Sequence, residues 1–142
     1  MAQATTREII VVDESKLSPA LGTRMPVPVE VLPFGWRSQL AHLESLGARP
    51  AMRRNPDGAG FITDQGNYIL DCAFGAISQP VQLAAQLQAR AGIVGHGLFV
   101  GQALEVIVAG ARGIRHLKRD ARALLRGWEG CDHLRHRRAS LD

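Results

Sequence analysis

Ile62-Thr63-Asp64-Gln65-Gly66-Asn67-Tyr68-Ile69-Leu70-Asp71-Cys72-Ala73-Phe74 stands at the middle of the 142-residue chain and decides how its surroundings are read. Two apolar runs, Phe61 to Thr63 and Tyr68 to Phe74, flank Asp64-Gln65-Gly66-Asn67. Glycine sits at the position that tolerates positive φ, which is the signal of a tight β-hairpin. Upstream lies the turn-rich Asn55 to Gly60, and before it a strand predicted over 48–53. Further out, Trp36, Leu40, Leu43 and Leu46 recur at helical spacing and Gly47 follows as a stop, which predicts an amphipathic helix of about three turns. Val27, Val29 and Val31 alternate with Pro28 and Glu30, the period of a strand with one covered face, and Pro26, Pro28 and Pro33 place it at an edge.

Downstream of the hairpin, a second helix begins near Ser78 with Pro80 in its first turn, continues through Leu83, Leu87 and Ala91, and stops at Gly92. Ile93-Val94 and Leu98-Phe99-Val100 read as one further strand. From Val27 to Val100 the order is therefore strand, helix, strand, strand, helix, strand. That is the split β-α-β arrangement of a ferredoxin-like sandwich, with two helices on one face of an antiparallel sheet.

Two apolar runs fall outside this module. Ile9-Ile10-Val11-Val12 reads as a parallel strand buried on both faces, and Leu104 to Ala109 as another strand. A second sheet would house both. Ile114, Leu117, Ala121, Leu124 and Leu125 predict a last amphipathic helix stopped by Gly127, and Trp128 to Asp142 reads as a loose charged end.

Composition narrows the function classes. With 46% apolar and 21% charged residues the chain has the material for a core. The net charge of +4 resides at one end: residues 1–111 carry 8 basic and 9 acidic side chains, whereas 112–142 carry 9 and 4. That basic end could meet nucleic-acid phosphates, but only Trp128 offers a stacking ring and acids are interspersed, so a solvated helix with a loose end is the preferred reading and a nucleic-acid partner is not expected. No run approaches the ~18 apolar residues of a membrane span. The first residues lack the apolar block of a signal peptide, so cytoplasmic residence is expected. Cys72 and Cys131 are far apart, which indicates neither a disulfide framework nor a zinc ribbon. Cys72 alternates with Leu70 and Phe74 as a small core residue would, and His96 between two glycines marks a backbone bend. Cys131, His133 and His136 have metal-ligand spacing without a fourth ligand, and Gly95-x-Gly97 with Gly101 fails as a dinucleotide loop because a strand follows it rather than a helix.

Four ordered blocks carry a family resemblance: Val12-Asp13-Glu14-Ser15-Lys16, then Leu21-Gly22 with the proline-rich Met25 to Val31, then Ile62 to Asp71, then Gly92-Ile93-Val94-Gly95-His96-Gly97-Leu98-Phe99. Over roughly Ile9 to Leu117 the chain resembles the C-terminal half of ribose-5-phosphate isomerase of the A type. The resemblance implies an α/β fold with a parallel sheet, largely missing here, into which an α+β ferredoxin-like subdomain is inserted. Residues 1–24 would then be the last strand and active-site loop of the truncated α/β domain, 25–100 the ferredoxin-like subdomain, 101–117 the strand returning to the α/β domain, and 118–142 a basic extension.

It also implies a chemistry. The family interconverts ribose 5-phosphate and ribulose 5-phosphate, in the non-oxidative pentose phosphate route, through an enediol-type intermediate and without a cofactor or metal. Such a reaction needs a carboxylate base, donors for the developing oxyanion and groups that hold the phosphate. Family members place most of these in a Gly-Thr-Gly-Ser-Thr loop, an Asp-Gly-Ala-Asp segment, a Lys-Gly-Gly-Gly segment and a Thr-Arg-Glu whose glutamate is the base. Only the lysine of the Asp-x-Ser-Lys segment has a counterpart here, so the resemblance implies that Lys16, beside Asp13 and Ser15, contacts the phosphorylated pentose, and it assigns no catalytic residue. Asp57-Gly58-Ala59-Gly60 resembles the acidic segment in letters only. Glu8 of Thr6-Arg7-Glu8 lies eight residues before Lys16, too close for the family's base, and is expected at the strand entrance. The expectation is an isomerase chain without its catalytic half, inactive alone. The alternative is a non-catalytic ferredoxin-like module retained for subunit association, since the resemblance also implies a homo-oligomer.

Overall fold

A computed structural model describes residues 8–102 and 105–118. They divide into two compact units, one built on 18–100 and the other on the flanking segments.

The central unit contains β2 (Val27–Val31), α1 (Trp36–Ser45), β3 (Arg49–Met52), β4 (Tyr68–Ala73), α2 (Pro80–Gln88) and β5 (Ile93–His96), while β1 (Ile9–Asp13) belongs to the other unit. Its sheet has the order β3-β4-β2-β5 and every neighbouring pair is antiparallel. The alternation read in Val27, Val29 and Val31 is real: all three are buried, and with Leu70 and Cys72 they meet Leu43 of α1 and Leu83 and Leu87 of α2 in one apolar cluster. Both helices therefore cover the same side of the sheet. Leu43, Leu70 and Leu87 are fully buried, so each contributes the burial of a whole aliphatic side chain, roughly 1.5–3 kcal/mol.

Three details differ from the sequence reading. β2 is an interior strand, not an edge. Its proline is tolerated because the β5 ladder begins only at Val29, and Pro28 faces that side just beyond it, where its carbonyl accepts the Gly97 N–H at 2.8 Å. The run Leu98 to Val100 is not a strand. Pairing ends at His96, and the Leu98 N–H turns back to His96 Nδ1 at 3.3 Å, which seats Leu98 in the core and leaves Phe99 outside. Thr63 to Gly66 forms the expected tight turn, closed by Gly66 N–H to the Thr63 carbonyl at 2.8 Å, but Phe61 to Thr63 supplies one bridge, Ile62 to Tyr68, instead of a strand. The main partners of β4 are β2 and β3.

On the sheet side opposite the helices, charged groups secure the long β3–β4 connection. Arg53 grips Asp71 of β4 with two hydrogen bonds, at 3.0 and 2.6 Å, and lies over the Phe61 ring. One oxygen of Glu30 accepts from Thr63 Oγ1 at 2.9 Å and from Asn67 Nδ2 at 3.0 Å. Residues 18–24, which the sequence reading attaches to the preceding strand, stand with this unit. The Ile77 N–H donates to the Leu21 carbonyl at 2.9 Å, and Gly22, at φ +80°, lies so close to the Gly75 carbonyl that a Cβ would collide with it.

The flanking unit is a three-stranded sheet of order β1-β6-β7, with β6 at Glu105–Gly110 and β7 at Gly113–Lys118. β1 and β6 are parallel, from Ile9 opposite Glu105 to Asp13 opposite Ala109. β6 and β7 form a hairpin around Ala111-Arg112. Here the predicted last helix is corrected: Ile114 and Leu117 lie on a strand. A two-residue turn between Gly110 and Gly113 returns the chain directly onto β6, and the ladder hydrogen bonds override the helical spacing. Ala121, Leu124, Leu125 and Gly127 lie outside the described residues.

Candidate functional site at the carboxyl end of the parallel strands

In sheets with parallel strands, ligands bind outside the carboxyl ends of those strands, where the chain leaves the ladder and backbone donors are unpaired. In this chain that place is the end of β1. Asp13 is its last residue, and Glu14–Lys16 turn at once into a single 3-10 turn. Asp13 is the N-cap: its Oδ1 accepts the Ser15 N–H at 2.8 Å, so the local sequence Asp-x-Ser itself supplies the bond that starts the turn. The Leu17 N–H closes it on the Glu14 carbonyl at 3.2 Å.

Lys16, the predicted substrate contact, sits in the last position of this turn with its side chain exposed. Asp13 is held below the ordinary carboxylate value, first by the hydrogen bonds from Ser15 and further by the positive charge of Lys16. It is therefore an anion at neutral pH, occupied as a cap and not poised to take a proton.

A contributor that sequence reading missed is Gly110, the last residue of β6. A Cβ there would collide with the Glu14 carboxylate, so glycine makes room for the first side chain of the 3-10 turn. The β1–β6 register puts Gly110 next to the strand end, and no sequence motif announces it. Glu8 precedes β1 and so stands at the opposite end of the strand from Lys16, with five strand residues of ~3.3 Å rise between them. One of its carboxylate oxygens is buried without a hydrogen-bond partner.

Other chemistry-bearing groups have structural places. Burial pushes the Cys72 thiol up to about 12, which makes it an inert core residue. Asp57 accepts the Ala59 N–H at 2.9 Å inside its own turn. Glu105 pairs with His116 at 2.7 Å across β6 and β7. A groove of about 330 Å³ in the central unit is lined by Leu46, Phe74, Ile77 and the amides of Gln79, Gln82 and Gln86, with no ionisable side chain. Among the described residues no cluster of three or more His, Cys, Asp or Glu is arranged to hold a metal, and no helix is long and apolar enough to cross a membrane. Cys131, His133 and His136 lie outside the described residues.

Comparison with known proteins converges on one family. Residues 1–113 match the family model of ribose 5-phosphate isomerase A (phosphoriboisomerase A). The chain is 54% identical over 117 residues to the ribose-5-phosphate isomerase A of Chloroflexus aurantiacus, covering 82% of this chain and 49% of that protein. It is 52% identical over 118 residues to that of Desulfatibacillum aliphaticivorans, covering 83% and 51%. Among solved structures it is similar to a D-ribose-5-phosphate isomerase in complex with phospho-erythronic acid, with a TM-score of 0.76, 35% identity and coverage of 80% of this chain and 50% of that one. It is also similar to the ribose 5-phosphate isomerase A of Methanocaldococcus jannaschii, with a TM-score of 0.77, 32% identity and coverage of 83% and 52%. The chain spans about half the length of the relatives it matches. With its parallel β1–β6 pair, its Asp-x-Ser-Lys turn and this match over residues 1–113, the chain belongs to the ribose 5-phosphate isomerase A family.

Proposed function

We propose that this chain carries the substrate-lysine half of a ribose-5-phosphate isomerase, in the non-oxidative pentose phosphate route, and that it does not turn over pentose phosphate alone. The observation that carries the reading is the Asp13–Lys16 turn. It holds an exposed ammonium at the carboxyl end of a parallel strand, where a phosphorylated sugar would meet it. A solved relative binds phospho-erythronic acid, an anionic phosphorylated compound of the kind such an ammonium would recognise.

Isomerisation moves a proton from C2 to C1 of the open-chain sugar: a base takes it from C2 of the aldose while O1 gains a proton, giving an enediol, and C1 is then protonated as O2 gives up its proton and becomes the ketose carbonyl. In this reading Lys16 holds and orients the substrate, and the base and the oxyanion donors come from the half of the fold that this chain does not span. Asp13 is committed to its cap. Glu8 is at the wrong end of β1.

The test joins the chain behind the unmatched half of the Chloroflexus aurantiacus relative. The fusion is expected to interconvert ribose 5-phosphate and ribulose 5-phosphate, and Lys16→Ala to lower kcat/KM roughly 10- to 100-fold, the worth of a hydrogen bond to a charged group, with Tm unchanged. Full activity in the Lys16→Ala fusion would remove Lys16 from the site.

A second reading has its own support. Its support is a central sheet of order β3-β4-β2-β5 with both helices on one side, as a ferredoxin-like sandwich would have, and nearly all of the buried apolar side chains among the described residues. The central unit would serve as a non-catalytic module for association between copies. A concentration-dependent dimer or tetramer on size-exclusion chromatography favours it, and a persistent monomer counts against it.

A further inference from the structure

Gly110 is a glycine for a reason its own backbone does not supply. Unlike Gly113, its hairpin partner at φ +109°, it does not take the left-handed conformation, so an alanine would accept the same backbone. The requirement is space alone. A Cβ at Gly110 would stand 2.9 Å from Glu14 Cδ and 3.5 Å from its Cγ, and would collide with Oε2. The Glu14 side chain therefore lies across the end of β6, on the side of the sheet that Val106 and the fully buried Val108 also face. Glu14 opens the 3-10 turn and Lys16 closes it, two positions apart and opposite in charge. Among the described residues, however, neither enters an ion pair.

We propose that Gly110 is a positioning residue for the Lys16 site: its missing side chain seats the Glu14 carboxylate on β6 and leaves the Lys16 ammonium unneutralised, to take the phosphate of a sugar phosphate. The role rests on the reading of Lys16 as the substrate contact; the seat itself does not. A methyl group at 110 would expel the carboxylate from its seat. Tethered two residues from Lys16 on a single turn, it would then compete with the phosphate for the same ammonium. Exposed carboxylate–ammonium pairs are weak, so the expected loss is small, roughly two- to fivefold. It is also a loss through charge. Glutamine, which keeps the shape of glutamate without its charge, therefore separates this role from a merely steric one.

Lys16 and Lys118 are the only lysines of the sequence, which makes the test direct. Lys118 lies 3.7 Å from Glu105, at the opposite end of β6 from Gly110, and serves as an internal reference. The intact 142-residue chain is labelled briefly with a trace of acetic anhydride, and acetylation of the two lysines is quantified by mass spectrometry. A carboxylate beside an ammonium holds it in the charged, unreactive form. Gly110→Ala is therefore expected to lower the Lys16-to-Lys118 labelling ratio roughly two- to fivefold, and Glu14→Gln in the same background to restore it. A ratio that Gly110→Ala leaves unmoved would overturn the seat. A fall that Glu14→Gln does not restore would overturn it too, since a displaced turn or a loosened hairpin would then be the cause. The kinetic arm uses the fusion of this chain behind the unmatched half of the Chloroflexus aurantiacus relative. There Gly110→Ala is expected to raise KM for ribose 5-phosphate roughly two- to fivefold at unchanged kcat, with restoration by Glu14→Gln. An active fusion in which Gly110→Ala leaves KM unmoved would overturn the role in substrate binding. A fusion without turnover would sink the isomerase reading and leave the labelling result standing, which keeps the two failures apart.

Discussion

Asp13 performs two tasks with one carboxylate: it ends β1 and caps the turn that presents Lys16. Because the Ser15 hydrogen bonds and then Lys16 hold it below its ordinary value of 3.8, its ionised form is favoured by the fold. The contribution is present above the unfolded value and is lost as pH falls through the lower folded one. An NMR titration should find the Asp13 midpoint below 3.8, and Ser15→Ala should move it upward; a midpoint that Ser15→Ala leaves unmoved would contradict the cap. Cys72 should be the slow thiol of the described residues. With its midpoint near 12 and full burial it is expected to resist alkylation at pH 8 until the protein unfolds, and rapid native-state labelling would show that β4 opens readily. Lys16 is proposed from its motif, whereas no motif points to Gly110, since the Glu14 carboxylate that requires a glycine comes from another strand end.

At the scale of elements, the block Ile62 to Asp71 is explained by structure without catalysis. Thr63 and Asn67 bind one oxygen of Glu30, and Asp71 is held by Arg53, so the block fastens the β3–β4 connection to the sheet. Asn67 is 7% exposed, so Asn67→Ala should cost about 1–3 kcal/mol in denaturant unfolding by leaving Glu30 with a lost donor. Arg53→Met should cost less, about 1 kcal/mol or below, because that pair is partly open to water. Equal costs would contradict this ranking of the two anchors. The helices and β2 were readable from period, as each buries one face, and β4 from the tight turn before it. β7 was not: Ile114 and Leu117 are compatible with a helical stripe, and only the hairpin partner β6, reached through a two-residue turn, selects the strand. The place of β2 was misread for a related reason. A proline warns of a missing donor, and whether a neighbour needs that donor depends on where the β5 ladder starts.

For the whole molecule, the buried apolar cluster lies within 27–98, and the other unit keeps the exposed strand β1. The central unit is therefore expected to fold alone. A polypeptide of residues 18–100 should unfold in one cooperative transition, and Leu43→Ala should destabilise it by about 2–5 kcal/mol; a broad, non-cooperative melt would show that the unit depends on the flanking strands. The division also explains the limit of the sequence reading. The runs Ile9 to Val12 and Leu104 to Ala109 announced a second sheet through their composition, but the exposure of Ile9, Ile10 and Val11, where a strand buried on both faces was expected, is visible only once the strands are paired.

The central claim is that this chain contributes Lys16 and its turn to an isomerase site whose base and oxyanion donors lie in the half of the fold it does not span. The most direct measurement is ribose 5-phosphate turnover by the purified 142-residue chain, followed as ribulose 5-phosphate formed, beside the Lys16→Ala variant. No conversion above the buffer rate by either protein is the predicted result. Steady turnover by the chain alone, lost in Lys16→Ala, would contradict the account.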